Sequence, residues 1–352
     1  MHDLFHIQYP VGQGGLHLGI IGDVAYVYDC GAVKKYQATA CVRCAANMIN
    51  KSGVKEVHIF ISHLHEDHCN SLEQLLQEVK IVNKIVHIPY IDNEEKLLIL
   101  CSGHSIKMPS EFYIKLLYGN EDYENNENEK FRIVQHGKSG RLAALTNVSG
   151  WVFDYFVNKS VNPSGINTFL SWARIKISKD LNKNDVLDYL CEQENRKKLK
   201  NEYLKCITTN LNFTSLCLYC GPTVGNWVHE GLDGWLHTGD YNLKDKAFWV
   251  PFCRYYKAYC KYIGWFQIPH HGSKNNISLS LLNYLQNHCN CAFFFTGQLS
   301  PKGRGQPKVF AGLLGLHVAR FYKVTECPCS LLRQGVCNLY CANCSHICRC
   351  VF

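Results

Sequence analysis

No stretch of this chain reaches 18 consecutive apolar residues, so no segment reads as a membrane-spanning helix. The opening MHDLFHIQYP has no basic region ahead of an apolar run, which argues against a secretory signal and for a cytoplasmic protein with no membrane partner. No internal repeat is visible, which argues against a solenoid or propeller. Charge is sparse: 19% of residues are charged and 47% hydrophobic, an ordinary globular balance with ample material for a core. At 352 residues the chain is long enough for one large domain, or one domain plus an appendage.

What the chain has in excess is cysteine, with 20 in all. A secreted protein would spend them on disulfides; without a signal, free thiols in a reducing compartment are the better reading, some of them holding metal. The sequon-like Asn212-Phe213-Thr214 then carries no glycan. A formal charge of +8 favours anionic partners, nucleic acid among them, by raising their local concentration.

Short apolar runs broken by glycine predict strands at Leu16–Ile21, Val24–Tyr28, Val57–Ile61 and Lys84–Pro89, with helices at Tyr36–Lys51 and Ser71–Val79. The strand pattern returns at Thr214–Cys220, Gly234–Thr238, Tyr262–Pro269 and Cys291–Gly297. Strands alternating with helices predict an α/β layered fold. Between them, about 91–205 changes character: 119–130 is an acidic loop, and Leu181–Cys206 is rich in Lys, Glu, Asn and Leu and reads as helix. This stretch is expected to be a mainly helical insertion in a domain covering 1–325, followed by a Cys-rich tail, 326–352.

The strongest chemical signal is Ile61-Ser62-His63-Leu64-His65-Glu66-Asp67-His68, entered directly from the apolar strand VHIFIS. Four metal-competent side chains lie within six residues. Imidazoles with a carboxylate suit Zn²⁺, and also Mn²⁺ or Fe²⁺. An extended backbone puts His63 and His65 on one side, and Asp67 and His68 follow where the chain turns toward a helix, within reach of a second metal.

This HxHxDH pattern at a strand end resembles the metal signature of the metallo-β-lactamase superfamily. Further segments fit in order: Asp29 ending the strand AYVYD, Asp240 in Thr238-Gly239-Asp240, and Pro269-His270-His271-Gly272-Ser273. Together with Val11-Gly12-Gln13-Gly14-Gly15, Asn212-Phe213-Thr214-Ser215-Leu216 and Gly305-Gln306-Pro307, they resemble the hydrolase domain of ComEC-type competence proteins and their stand-alone soluble relatives. The resemblance covers roughly 1–90 and 207–325. It implies an αββα sandwich and two divalent metal ions. His63, His65 and Asp240 would hold one, and Asp67, His68, Asp240 and His271 the other, with Asp240 bridging. Asp29 would orient a ligand histidine. Two positions depart from the pattern. Asparagine (Asn210 or Asn212) stands near where many members carry a further ligand histidine, leaving Asn212 in a supporting place at most. Gln306 stands where the branch often has histidine.

A metal-activated water would then attack phosphorus or a carbonyl carbon, with Asp67, Asp240 and His270 as the catalytic side chains. His271 is favoured over His270 as ligand because it precedes the Gly-Ser turn. His270 would touch phosphate or protonate a leaving group, or else make a structural hydrogen bond. Gln13, Gly14, Ser273 and Lys274 are candidate substrate contacts, against a hairpin turn for the first two and a solvated lysine for the last.

The tail, Cys327-x-Cys329, Cys337-x3-Cys341-x2-Cys344-x3-Cys348-x-Cys350, has one metal-knuckle spacing. Cys337, Cys341, Cys344 and Cys348 could hold a structural Zn²⁺; free thiols or an iron–sulfur cluster are the alternatives. Cys41-x2-Cys44 falls in a helix and reads as core.

The resemblance implies phosphodiester hydrolysis on nucleic acid, DNA first, by a protein acting alone or as the effector subunit beside a partner in antiviral defence. The alternatives are a hydrolase of cyclic nucleotides, lactones or thioesters, and a metal-stabilised binding subunit without turnover.

Overall fold

A computed structural model describes residues 4–102, 108–118, 131–142, 145–158, 165–207, 214–223, 233–289, 291–297, 321–327 and 330–336. The chain divides into two compact units, one comprising residues 1–89, 129–158 and 215–352, the other 90–128 and 159–214.

The first unit is built on two mixed seven-stranded sheets. In chain order its strands are β1 (Leu4–Gln8), β2 (Gly14–Ile21), β3 (Val24–Ala32), β4 (Glu56–Phe60), β5 (Asn83–Pro89), β6 (Arg132–His136), β7 (Gly140–Leu142), β8 (Trp151–Asn158), β9 (Ser215–Pro222), β10 (Gly234–His237), β11 (Ile263–Gln267), β12 (Ala292–Thr296), β13 (Phe321–Val324) and β14 (Leu332–Val336). One sheet runs β14-β1-β2-β3-β4-β5-β6 and the other β13-β12-β11-β10-β9-β8-β7. Their pairing patterns match. The first is antiparallel from β14 to β3 and parallel from β3 to β6. The second is antiparallel from β7 to β10 and parallel from β10 to β13. No repeat is visible in the sequence, because burial and pairing need only apolar alternation and not residue identity.

Side chains that alternate along the strands supply two different cores. Leu216, Leu218 and Cys220 of β9 join Tyr26, Tyr28 and Phe60 in a layer between the sheets, while Cys217 and Tyr219 point the other way into a helix-covered core. That second core is closed by α9 (Lys246–Tyr256), a 3₁₀ helix (Lys257–Tyr262) and α10 (Leu279–His288). On the first sheet, α1 (Lys35–Lys51) buries Ala38, Val42, Ala45, Ala46 and Ile49, the i, i+4, i+7 stripe of an amphipathic helix, against β2 and β3. The order helix, sheet, sheet, helix is the αββα arrangement expected. Two further helices of this unit, α2 (Glu66–Cys69) and α3 (Leu72–Glu78), follow β4. The inter-sheet layer is rich in imidazole. His58 Nδ1 lies 2.8 Å from His87 Nε2, and His87 Nδ1 lies 2.9 Å from His136 Nε2, a hydrogen-bonded row across β4, β5 and β6.

The second unit contains α4 (Asn93–Ser102), α5 (Glu111–Tyr118), α6 (Ile166–Lys176), α7 (Lys183–Cys191) and α8 (Gln193–Cys206). The single helix read over Leu181–Cys206 is two, split at Glu192, whose extended φ/ψ of −84° and 128° breaks the helical path. The insertion expected over 91–205 is corrected in another respect: residues 132–158 supply β6, β7 and β8, which belong to the sheets. β8 carries Phe153, Phe156 and Trp151 into buried cores, so burial rather than chain order decides membership. The tail boundary also moves. Leu332–Val336, placed in the appendage by cysteine content, pairs antiparallel with Leu4–Gln8 as the edge of the first sheet. The tail cysteines 337, 341, 344 and 348, the acidic loop 119–130, Asn210, Asn212 and the 305–307 segment lie outside the described residues. No helix among the described residues is long and apolar enough to cross a membrane.

Candidate metal centre

The functional side chains sit in the carboxyl-terminal part of β3 and beyond the carboxyl ends of β4, β10 and β11, the place where crevices form in sheets with parallel strands. These strands occupy matching positions in the two sheets: β3 and β10 are the last antiparallel strands, β4 and β11 the next parallel ones.

After β4, Ser62 opens the loop His63–His65, which runs directly into α2 and its Asp67 and His68. Ser62 N–H and Oγ–H donate to Asp29 Oδ1 and Oδ2 at 2.7 and 3.0 Å, tying that loop to the end of β3. Asp29 also faces His68 Nδ1 at 2.8 Å and is fully buried. With Nδ1 donating to the carboxylate, His68 Nε2 is left as a bare acceptor. It lies 3.4 Å from Asp240 Oδ1 and 3.9 Å from Asp67 Oδ2. His271 Nδ1 is 3.0 Å from the Thr296 hydroxyl, which can donate or accept, and Nε2 faces Asp67 Oδ2 at 3.4 Å. His63 Nε2 lies 3.1 Å from His65 Nδ1 and 3.7 Å from Asp240 Oδ2.

Two sets result: His63, His65 and Asp240, and Asp67, His68 and His271, each with ligand atoms within 4.8 Å of one another. Nitrogens at about 2.0–2.1 Å from a tetrahedral Zn²⁺ sit roughly 3.3 Å apart, so the spacings above suit a shared cation. The donor chemistry agrees. His68 Nε2, His271 Nε2 and Asp240 Oδ1 are buried without a hydrogen-bond partner. Three convergent orphaned acceptors are costly in an apolar interior unless something positive lies between them. Without a cation, Asp29, Asp240 and Asp67 outweigh burial and favour a charged His68, so a metal there would take the place of the Nε2 proton. Asp240 and Asp67 resist burial and stay ionised because imidazoles surround them, His270 and His68 foremost for Asp240 and His68 for Asp67. His63 goes the other way, pushed down by burial and then by His68, and so keeps a free nitrogen lone pair.

The backbone is strained where these groups converge. Among the described residues four non-glycine residues have positive φ, and three are here: Asp29 (57°), His270 (50°) and His271 (54°). Such conformations persist only when the surroundings dictate them. The turn at Pro269–Gly272 delivers both histidines, but to different places. His271 is buried among the second set, whereas His270 is 22% exposed and faces Asp240 Oδ2 at 3.7 Å.

The remaining expected contacts divide. Gly14 supports the site from behind: an added Cβ would lie 2.6 Å from Ala32 Cα and 2.9 Å from Asp67 O, so only glycine lets the hairpin pass beneath Asp67. Gln13 accepts from Val33 N–H at 2.8 Å through its carbonyl. Ser273 is buried, its N–H donating to His270 O at 2.9 Å, and so closes the turn. Lys274 is exposed.

Sequence reasoning missed four supports. Ser62 braces Asp29. Thr296, on the neighbouring β12, orients His271. Gln267 Oε1 accepts from Thr238 N–H at 3.1 Å and Gly239 N–H at 3.4 Å, and Asn276 Nδ2 donates to Asp240 O at 3.0 Å. Ser62 and Gln267 adjoin the motifs and could have been flagged; Thr296 required knowing that β11 pairs with β12.

No protein-family model matches this chain. No curated protein matches it either. Among solved structures it is similar to a long-form RNase Z from yeast, at 11% identity and a TM-score of 0.38 over 84% of this chain. The match spans 36% of that RNase Z, about a third of its length. It is also similar to the metallo-beta-lactamase fold protein YhfI from Bacillus subtilis, at 11% identity and a TM-score of 0.35, covering 84% of this chain and 98% of that one.

Proposed function

We propose that this protein is a metal-dependent hydrolase that cleaves phosphodiester bonds in nucleic acid. The observation that carries the reading is the pair of facing ligand sets, with bare nitrogens on His68 and His271 and a bare oxygen on Asp240 aimed at one another. Bound divalent cations would supply Lewis acidity and a water whose pKa falls from near 16 to about 7.

The chain's own residues have distinct tasks in this reading. His63, His65 and Asp240 would hold one cation, and Asp67, His68 and His271 the other. Asp29 accepts at His68 Nδ1, and Thr296 positions the His271 ring. Asp67 and Asp240 are less enclosed than His63, His68 and His271, with side chains 20% and 13% exposed against 2–3%. They therefore line the mouth, where Asp67 can accept the proton released by the attacking water. His270 stands at the same mouth with its Nδ1 buried and unpartnered. Its place suits contact with a phosphoryl oxygen or proton donation to the leaving group. The formal charge of +8 supports an anionic substrate.

The test is digestion of plasmid and single-stranded DNA by the pure protein with Mn²⁺ or Zn²⁺, beside a cyclic dinucleotide and a lactone. Cleavage of DNA that disappears in Asp67→Ala/His68→Ala supports the proposal. Turnover of a small substrate alone would replace it with the second reading. Full biological activity in the double variant would favour a binding subunit.

A further inference from the structure

Residues 241–325, which follow Asp240, hold eleven Lys and Arg but a single acidic residue, Asp245, whereas residues 1–89 hold seven Lys and Arg against eight Asp and Glu. That one carboxylate is already engaged: it caps α9, accepting from Ala247 N–H. The cations around it are left unopposed. Lys244, Lys246, Arg254, Lys257, Lys261 and Lys274 are all exposed, and among the described residues none of them forms an ion pair. By contrast, Arg43 and Lys55 each meet a carboxylate. Unpaired charges of one sign repel one another and attract an anion.

These cations are ordered along the fold. Lys246 and Arg254 stand at i and i+8 of α9, and Lys257 continues the same stripe where the 3₁₀ helix begins. The stripe starts at the metal centre. Leu243 bridges Ile277, and its N–H donates to Asn276 O at 2.7 Å. The segment leaving Asp240 toward Lys244 therefore lies beside the one leaving His271 past Lys274. Aromatic rings accompany the charges. Trp249 of α9 and Tyr284 and His288 of α10 form a row with centroids 6.2 and 4.1 Å apart, the second pair stacked at 19°. Trp249 and Tyr284 pack against the core yet are only half-buried, and His288 is exposed.

We propose that the helix-covered side of the second sheet is the docking face for single-stranded nucleic acid, with phosphates on Lys244, Lys246, Arg254, Lys257 and Lys274 and bases on the row from Trp249 to His288. This rests on the nucleic-acid reading of the metal centre, and adds where the strand lies and in what form. Charge complementarity selects the occupant, since a line of unopposed cations matches a line of phosphates. The rings select the single strand, because an unpaired base of any identity offers a face to stack on. A duplex would use the cations alone, its bases being stacked on one another.

Fluorescence anisotropy with a labelled oligo-dT of about 16 nucleotides, the upper site size of such grooves, tests this on the full chain in EDTA, where metal-dependent cleavage cannot intervene. Each phosphate contact adds roughly −0.7 to the slope of log affinity against log salt, so Arg254→Glu/Lys257→Glu should flatten the wild-type slope by about 1.4. Lys51→Glu/Lys80→Glu makes the same charge change at exposed positions beside the first sheet, and should leave the slope as it is. Trp249→Leu, which keeps an apolar packing group, should weaken oligo-dT at least about fivefold and leave a duplex of the same length unaffected. Hydrolysis of bis(p-nitrophenyl) phosphate, small enough to reach the metals without the face, should proceed at wild-type rate in Arg254→Glu/Lys257→Glu. If the wild type does not hydrolyse it while oligo-dT binding follows the pattern above, the hydrolase reading falls and the docking face stands. No oligo-dT binding by the wild type, equal losses in the two double variants, or a duplex bound more tightly than the single strand would overturn the proposal.

Discussion

Asp29 and His68 meet at 2.8 Å, carboxylate oxygen to Nδ1, across 39 residues of chain. The contact is made from a strained backbone, since Asp29 holds φ at 57° to present both oxygens, one to His68 and the other to Ser62 N–H. A buried carboxylate that fixes an imidazole tautomer typically changes metal affinity about 10–100-fold when removed. Asp29→Ala should therefore weaken cation binding by that factor in a competition titration with a chromophoric chelator. An unchanged affinity would remove Asp29 from the centre.

Gly14→Ala tests the close passage beneath Asp67. The added methyl would meet backbone at 2.6 and 2.9 Å, where no side chain can yield, at a φ of 148°. A loss of roughly 1–3 kcal/mol is expected, together with weaker metal binding because Asp67 is displaced. The control is Gly53→Ala, at φ 74° with nothing within 4 Å of the added methyl, which should disturb the backbone alone and leave metal binding intact.

Much of this centre was legible in the sequence, for a physical reason. His63, His65, Asp67 and His68 lie within six residues, in the turn and short helix α2 that follow β4, so the local chain brings them together. Asp29, Asp240 and His271 stand at strand ends that apolar alternation reveals. What could not be read depends on long-range pairing. Thr296 needs the β11–β12 neighbourhood, β14 needs its partner β1, and β6 to β8 hide in a stretch whose polar composition suggests insertion.

The imidazoles between the sheets make acid sensitivity a property of the fold. Burial lowers His6 to about 3, His87 to about 2 and His136 to about 4, from an ordinary 6.5; for His87 the neighbouring His58 and His136 add to it. Below 6.5 the unfolded chain binds protons that the folded chain refuses, so stability is greatest above 6.5 and falls as pH drops toward these lower values. Each histidine contributes up to about 1.4 kcal/mol per pH unit within its window. Urea unfolding from pH 7 to pH 5 should show a falling midpoint, and His136→Gln should reduce the slope. Equal slopes in the two proteins would contradict the assignment.

Cations that bind only the folded state stabilise it by mass action, about 2.7 kcal/mol at a hundredfold excess over the dissociation constant. Adding Zn²⁺ or Mn²⁺ to chelator-treated protein should raise its melting temperature, and His271→Ala should blunt that rise. A melting temperature indifferent to both ions would argue that the orphaned nitrogens serve another purpose.

The most direct test of the central claim is metal content measured on the same sample as DNA cleavage, for the wild type and Asp240→Ala. Asp240 touches both ligand sets, through Oδ2 to His63 and Oδ1 to His68. The account predicts about two divalent ions per chain with cleavage in the wild type, and loss of both in the variant, beyond the roughly 10–100-fold expected of a supporting residue. A metal-free wild type that still cleaves, or an Asp240→Ala protein that keeps its ions and its activity, would contradict it.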